Sequence, residues 1–338
     1  MNSPASRIAD IGVYLPPTTR STEESELRLR TTNPHVNIAS GLIRRLTGVN
    51  QVHVRPEGWQ TSDLAVAAAR EVLTPGSPDP DLLIFASASQ DLIEPATSHI
   101  VAHKLGLNCP VMDVKNACNS MLNGMQVADS LIRAQQYKRV LVVTGEQPSH
   151  AVRWQIEDQA QFVRSIPGYT MSDSGAAILM EAISTEHPAG VGILETHFQA
   201  HSQFWPVGTL GTGGSMNPHA EGGSYFDMNG NELQKAFDSV GLDLVHDALK
   251  AVDLSLDDVD LFAAHQVSVA SQRAVLKRLG IPANRSIETV SGHGNLASAT
   301  LPLHLHRARE SGQIGSGSNV VLLGLAGGIS LGVMVIRL

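Results

Sequence analysis

Three side chains of this sequence could do chemistry together: Cys118, His265 and Asn295. Cys118 lies in Asp113-Val-Lys-Asn-Ala-Cys-Asn-Ser-Met-Leu-Asn-Gly124, between an expected strand end and an expected helix start. The thiolate is the nucleophilic form of cysteine, and a helix N-terminus favours it through the dipole. The free backbone N–H groups at such a start also face whatever the sulfur attacks. A lone cysteine can equally be a small buried hydrophobe. Cys109, before Pro110 and with no polar helix start behind it, reads that way.

His265 ends the apolar run Leu261-Phe-Ala-Ala and is followed by Gln266. Loops at the carboxyl ends of strands are where α/β folds gather ligand-binding groups. A thiol nucleophile needs an imidazole for its proton, so a histidine at a strand end suits the task. Asn295 lies in Ser291-Gly-His-Gly-Asn-Leu-Ala-Ser-Ala-Thr300, where Gly292 and Gly294 permit close approach or a positive φ. Its amide could hold a carbonyl oxygen alongside His265, or it could cap the helix that follows. His293 reads either as a base or as a loop residue. Gly324-Leu-Ala-Gly-Gly-Ile-Ser330 has neither the lysine nor the spacing of a phosphate loop. It could instead turn a backbone N–H toward an oxyanion.

The elements that must position these groups alternate between strand and helix. Ile8 to Leu15, Asp81 to Ser87, Val111 to Val114 and Val140 to Thr144 read as strands, the last with both faces covered. Leu64 to Leu73, capped by Ser62-Asp63, His99 to Leu105 and Ser120 to Gln135 read as helices. After a break at Glu186-His187-Pro188 the rhythm repeats. Val191 to Phe198 and Leu261 to Ala264 read as strands, and Glu232 to Val252 as one long helix. Ser268 to Leu279 reads as a helix, and Val320 to Leu325 with Leu331 to Ile336 as a closing pair of strands. The expected class is α/β, with helices over a central sheet. The segment Gln199 to Tyr225, rich in Gly, His and polar residues, reads as a long functional or mobile loop.

Composition bounds the function. The 338 residues carry a formal charge of −8, which argues against a nucleic-acid-binding surface. No run of 18 apolar residues is present and the first ten residues do not read as a signal peptide, so a cytoplasmic protein is expected. Two cysteines make no disulfide framework. The 14 histidines include no HExxH and there is no paired CxxC, so no metal and no bound cofactor is expected.

Taken in order, the motifs resemble ketoacyl-ACP synthase III and its acyltransferase relatives in the thiolase superfamily. The resemblance is carried by Gly12-Val-Tyr-Leu-Pro16, Thr47-Gly48, Asp81-Leu-Leu-Ile-Phe-Ala-Ser-Ala-Ser with Pro95, Cys109-Pro-Val-Met-Asp-Val and Ala117-Cys118. It continues through Ser172-Asp-Ser-Gly-Ala-Ala-Ile-Leu179, Met228-Asn-Gly-Asn-Glu232, His265-Gln266, Gly292-His-Gly-Asn-Leu-Ala-Ser298 and Ala326-Gly-Gly328. It implies a thiolase fold, two similar α/β halves (1–185 with the nucleophile, 186–338 with His and Asn) in a five-layered αβαβα arrangement, assembled as a homodimer. Cys118 would take an acyl group from a coenzyme A or acyl carrier protein thioester. His265 and Asn295 would hold the carbonyl of a second substrate, and the N–H groups of Cys118 and Gly327 would form the oxyanion hole. The second step would be a decarboxylative Claisen condensation with a malonyl thioester. Ester or amide formation on a hydroxyl or amine of a specialised metabolite is the alternative, and a non-catalytic partner subunit a third reading. The chain departs from the family pattern at Leu42 and Leu46, where Trp and Arg are usual before Thr47-Gly48. It departs again at Ser268 in place of Asn, at Leu331 in place of Trp, and at Glu94 in place of an apolar pocket residue. Glu94, Ser268 and Leu331 are therefore expected to line an altered substrate pocket, in a specialised rather than housekeeping enzyme.

Overall fold

The computed structural model describes residues 5–219 and 224–338. The first half runs β1 (Ser6–Tyr14), β2 (Thr19–Ser21), α1 (Thr22–Thr32), α2 (Leu42–Thr47), β3 (Gln51–His53), α3 (Thr61–Val72) and β4 (Leu82–Ala86). It continues with α4 (Thr97–Leu105), β5 (Val111–Val114), α5 (Ser120–Arg133), β6 (Arg139–Glu146), α6 (Gln159–Ser165) and β7 (Ser174–Ala182). The second half runs β8 (Gly192–Ala200), β9 (Gly208–Leu210), β10 (Phe226–Met228), α7 (Gly230–Ser239), α8 (Asp243–Lys250) and β11 (Leu261–Ala264). It ends with α9 (Val269–Leu279), α10 (Val290–His293), α11 (Thr300–Glu310), β12 (Asn319–Ala326) and β13 (Ser330–Arg337).

Two sheets carry the fold. The first has the order β1-β7-β6-β4-β5 and the second β8-β13-β12-β11. In both, the first two neighbours pair antiparallel and so do the next two, and the pair after that is parallel. The halves thus share one strand plan, extended in the first by β5. Alternate strand residues point to opposite faces, and both faces are apolar here. Leu82, Ile84 and Ala86 of β4 join Met121, Met125 and Ile132 of α5, Leu301 and Leu305 of α11, and Leu261 and Leu322 of the second sheet in one central core. Leu83 and Phe85 instead meet Ala65, Ala69 and Val101 of α3 and α4 on the outer side. Phe262 and Val321 meet Val245, Leu249 and Leu276 of α8 and α9 on the far side. Helices, sheet, helices, sheet, helices make five layers, the expected thiolase arrangement.

Three local expectations change. The helix over 232–252 is two helices, because Val240 is extended (φ −95°, ψ 131°) and ends α7 before Gly241. Helix α3 is preceded by Gln60 rather than capped by Ser62-Asp63. The Asp63 carboxylate accepts from the Gln60 N–H at 2.7 Å, so both residues lie inside the first turn. The stretch 199–225 is not one structureless loop: it contains the short 3-10 helix Ser202–Val207 and β9, which pairs with β10 just beyond its end. Residues 220–223 of that expected loop, and the first four residues of the chain, lie outside the described residues. Among the described residues no helix is long and apolar enough to cross a membrane.

Candidate active site

Strand β5 ends at Val114 and α5 begins at Ser120, and the bend between them carries Cys118. The bend is strained: Ala117 has φ 46°, in the left-handed region that a side chain disfavours. Several hydrogen bonds hold it there. Ser120 Oγ accepts from the Asn116 N–H at 2.8 Å and donates to the Ala117 carbonyl at 2.7 Å. Ser298 Oγ, from the second half, donates to the same carbonyl at 3.0 Å. On the other side of the sulfur, Asn119 Nδ2 donates to the Ser330 carbonyl at 3.0 Å.

The Cys118 thiol does not show the lowered pKa expected of a helix start. Burial, and after it the Glu146 carboxyl group whenever it is ionised, push it up to about 12. The residue as a whole keeps some exposure while its sulfur is deep, so desolvation outweighs the α5 dipole. At neutral pH the raised pKa keeps Cys118 as a thiol.

His265 follows β11 and is 4% exposed, with its backbone N–H donated to the Leu323 carbonyl of β12 at 2.8 Å. Among the described residues neither ring nitrogen has a hydrogen-bond partner, and burial lowers its pKa to about 4. Two unpaired nitrogens on a buried imidazole are costly unless a substrate meets them. His304 of α11 is buried behind it and lowered further, to about 3, by burial and then by His265. Its Nε2 lies 3.0 Å from Thr289 Oγ1.

Gln266 ties this strand end to the Asn295 loop. Its Oε1 accepts from the N–H groups of Thr289 and Val290 at 3.0 and 3.1 Å, and its Nε2 donates to the Ile287 carbonyl at 2.5 Å. Asn295 then sits beside the first half: its N–H donates to Thr170 O at 2.8 Å and its carbonyl accepts from Ser172 N at 2.9 Å. Gly294 must be glycine, because its φ is 68° and a Cβ would meet Thr170 O at 2.6 Å. Asn295 Oδ1 accepts from the Ala297 N–H at 2.9 Å, so the capping use takes the oxygen and leaves the Nδ2 hydrogens for a ligand.

The contacts close a ring. Cys118 connects through Asn119 to β12 and β13, β12 to His265, Gln266 to the 287–290 segment, and Asn295 through Ser298 back to Ala117. The three expected chemical residues therefore stand on one hydrogen-bonded frame. Gly327 lies in the turn between β12 and β13, with open space where a Cβ would be. The other candidates have local uses. Ser268 Oγ accepts from Ser271 N at 3.1 Å and caps α9. Leu331 is 1% exposed within the core of the second half. Glu94 is exposed, before a cis bond to Pro95. His293 Nδ1 lies 2.9 Å from His53 Nε2 and serves that pairing. Glu146, Ser298, Gln266, Asn119 and His304 were not singled out from the sequence. Glu146 had a signal: a carboxylate just past the apolar run Val140 to Thr144. Among the described residues no cluster of three or more His, Cys, Asp or Glu could hold a metal.

Residues 112–202 match the family model for 3-oxoacyl-[acyl-carrier-protein] synthase III, and residues 249–338 match the model for its C-terminal region. The chain is 32% identical over 346 residues to the β-ketoacyl-[acyl-carrier-protein] synthase III of Xanthomonas campestris pv. campestris, with 98% of each chain covered. It is 30% identical to that of Thiobacillus denitrificans, covering 98% of this chain and 99% of the other. Among solved structures it is similar to a variant of Xanthomonas campestris OleA (TM-score 0.88, 23% identity, 99% and 98% covered). It is also similar to the synthase III of Thermus thermophilus (TM-score 0.84, 24% identity, 98% and 99% covered).

Proposed function

This chain belongs to the 3-oxoacyl-[acyl-carrier-protein] synthase III family and is a condensing acyltransferase of that type, and from this premise we propose that Cys118 carries its acyl group. The donor is an acyl-CoA or acyl carrier protein thioester. The thiol adds to the thioester carbonyl and its proton passes to the neutral imidazole of His265. The oxyanion is met by the N–H groups of Cys118 and Gly327, and collapse expels the donor thiol, which takes a proton. A malonyl thioester then enters with its carbonyl against His265 and Asn295 Nδ2. Loss of CO2 leaves an enolate held by those two donors. Its carbon attacks the acyl-Cys118 carbonyl, a C–C bond forms, and the cysteine sulfur leaves as a thiolate that takes a proton from solvent to restore the thiol. The observation that supports this most directly is the buried His265 with both nitrogens unpartnered, on the same frame as Cys118 and Asn295.

In this reading the halves divide at 185/186, the protein is a homodimer, and its pathway is specialised. The last point rests on Leu42 and Leu46. Leu42 packs against the cluster of Leu29, Ile43 and Phe162, while Leu46 is 55% exposed, so neither supplies the aromatic and cationic groups usual there. Incubation with a panel of acyl thioesters, followed by intact-mass measurement, tests the loading step. An adduct on the native chain that Cys118→Ala lacks is expected, and no adduct from any donor sinks the proposal. Malonyl-carrier protein offered against alcohols and amines then separates condensation from ester or amide formation.

A further inference from the structure

Glu146, at the end of β6, is 1% exposed and lies behind Cys118, yet the acyl-transfer scheme gives it no task. Four hydroxyls surround its carboxyl group, contributed by Thr144, Ser87, Ser89 and Ser298. Each hydroxyl has one hydrogen. That of Ser87 is donated to the Gly145 carbonyl at 2.7 Å, and that of Ser298 to the Ala117 carbonyl at 3.0 Å. These two oxygens therefore turn lone pairs toward Glu146. Oε1 receives the Ala88 N–H at 3.1 Å and the Thr144 hydroxyl at 3.3 Å, and Oε2 receives the Ser89 hydroxyl at 3.2 Å. Among the described residues no Arg, Lys or His pairs with the carboxyl. A buried carboxylate facing lone pairs without a cation is destabilised, whereas a carboxylic acid donates its proton to one of them.

We propose that Glu146 is held as a neutral carboxylic acid in the resting protein and acts as a positioning residue for Cys118, its O–H closing the hydrogen-bond chain to Ser298 and on to the Ala117 carbonyl. This chain of contacts holds the strained peptide before the nucleophile and keeps the space behind the sulfur free of negative charge. Burial independently pushes the Glu146 carboxyl up from the usual carboxylate range. The titratable group facing it is Cys118, whose thiol an ionised Glu146 would raise. Its other neighbours, from the 87–89 loop, β6 and the turn at 297–299, are neutral. At the start of α3, Asp63 is paired with Lys104 and Asp91 accepts from Ser62 N.

The positioning role rests on Cys118 being the nucleophile, but the protonation state does not, and two measurements keep them apart. Infrared difference spectra of the whole protein at neutral pH are expected to show a protonated-carboxyl C=O band that shifts in D2O and vanishes in Glu146→Gln. Absence of that band overturns the proposal whatever Cys118 does. Alkylation of Cys118 by iodoacetamide against pH gives the second measurement. Glu146→Gln, which keeps a donor and an acceptor and is neutral like the acid it replaces, is expected to leave the alkylation rate at and below neutral pH unchanged. It should also load acyl groups like the native chain, whereas Glu146→Ala loads at least about tenfold more slowly, as expected when a buried hydrogen-bond chain is broken. Markedly faster alkylation of Glu146→Gln at neutral pH, which would reveal the loss of a negative charge, overturns the neutral state, and equal loading by the Gln and Ala variants overturns the positioning role. A C=O band without any acyl adduct would instead leave the protonation state standing and remove the proposed loading step.

Discussion

Asn119 lies against the backbone of Gly324, so closely that a Cβ at 324 would stand 2.0 Å from Asn119 Oδ1. The residue after Cys118 is thus seated directly on β12 of the second sheet. Gly324→Ala is expected to displace Asn119 and with it the Cys118 bend. Overpacking of this kind costs about 1–3 kcal/mol. Denaturant titration should show that loss, and intact mass should show slower loading. Unchanged stability and loading would mean that the bend tolerates movement.

His265→Ala and Asn295→Ala are each expected to keep a measurable acyl-Cys118 adduct and to slow the second step. Removing one donor to a developing oxyanion costs about 10²–10³ in rate. Quantifying adduct and product separately decides this. Loss of the adduct alone in either variant would reverse the assigned roles.

Gln266→Leu leaves the Thr289 and Val290 N–H groups without the acceptor they share, while the Ile287 carbonyl keeps the Gln272 Nε2 donor at 3.1 Å. Each buried unsatisfied group costs about 1–3 kcal/mol. The variant should therefore unfold at lower denaturant. Because the 287–295 segment carries Asn295, it should also lose the second step more than the first, and an equal loss of both would refute that link.

Acid should destabilise the protein through its buried histidines. His265 and His304 titrate near 6.5 when unfolded but near 4 and 3 when folded. The unfolded chain therefore binds more protons as pH falls below 6.5, and stability drops progressively down to about pH 4 through His265 and about pH 3 through His304. The full effect is on the order of a few kcal/mol per histidine. His304→Leu removes one of them. Its unfolding free energy should fall less between pH 7 and pH 5 than that of the native chain, and an equal fall would contradict the burial account.

Much of this was legible in the sequence because it rests on local pattern. The continuous apolar run at 140–143 announced a strand covered on both faces, and it is, while the runs at 82–86 and 320–323 announced strands. Cys118 was read at a strand-to-helix bend, His265 at a strand end and Asn295 in a glycine-flanked loop, and each lies there. Long-range polar contacts were not legible. Ser298 and Ala117 are 181 positions apart, and nothing in either neighbourhood marks the other. The raised Cys118 thiol was missed for a related reason. A helix start is visible in sequence, whereas the depth of the sulfur and the nearness of Glu146 depend on how two sheets stack. The break in the helix after Ser239 was hidden by apolar residues that continue through Val240 and Leu242.

The Asn295 backbone pairs with Thr170 and Ser172, which lie on the other side of the exposed turn near Glu186. This has a bearing on recombination among relatives. A crossover at that turn would be innocent by surface criteria, but it would separate the strips of chain at 170–172 and 291–298, which shape each other atom by atom. Chimeras should be drawn so that both strips descend from one parent, with Gly294 inherited alongside Thr170. Hybrids that mix them would be expected to fold in each half and still misplace the amide.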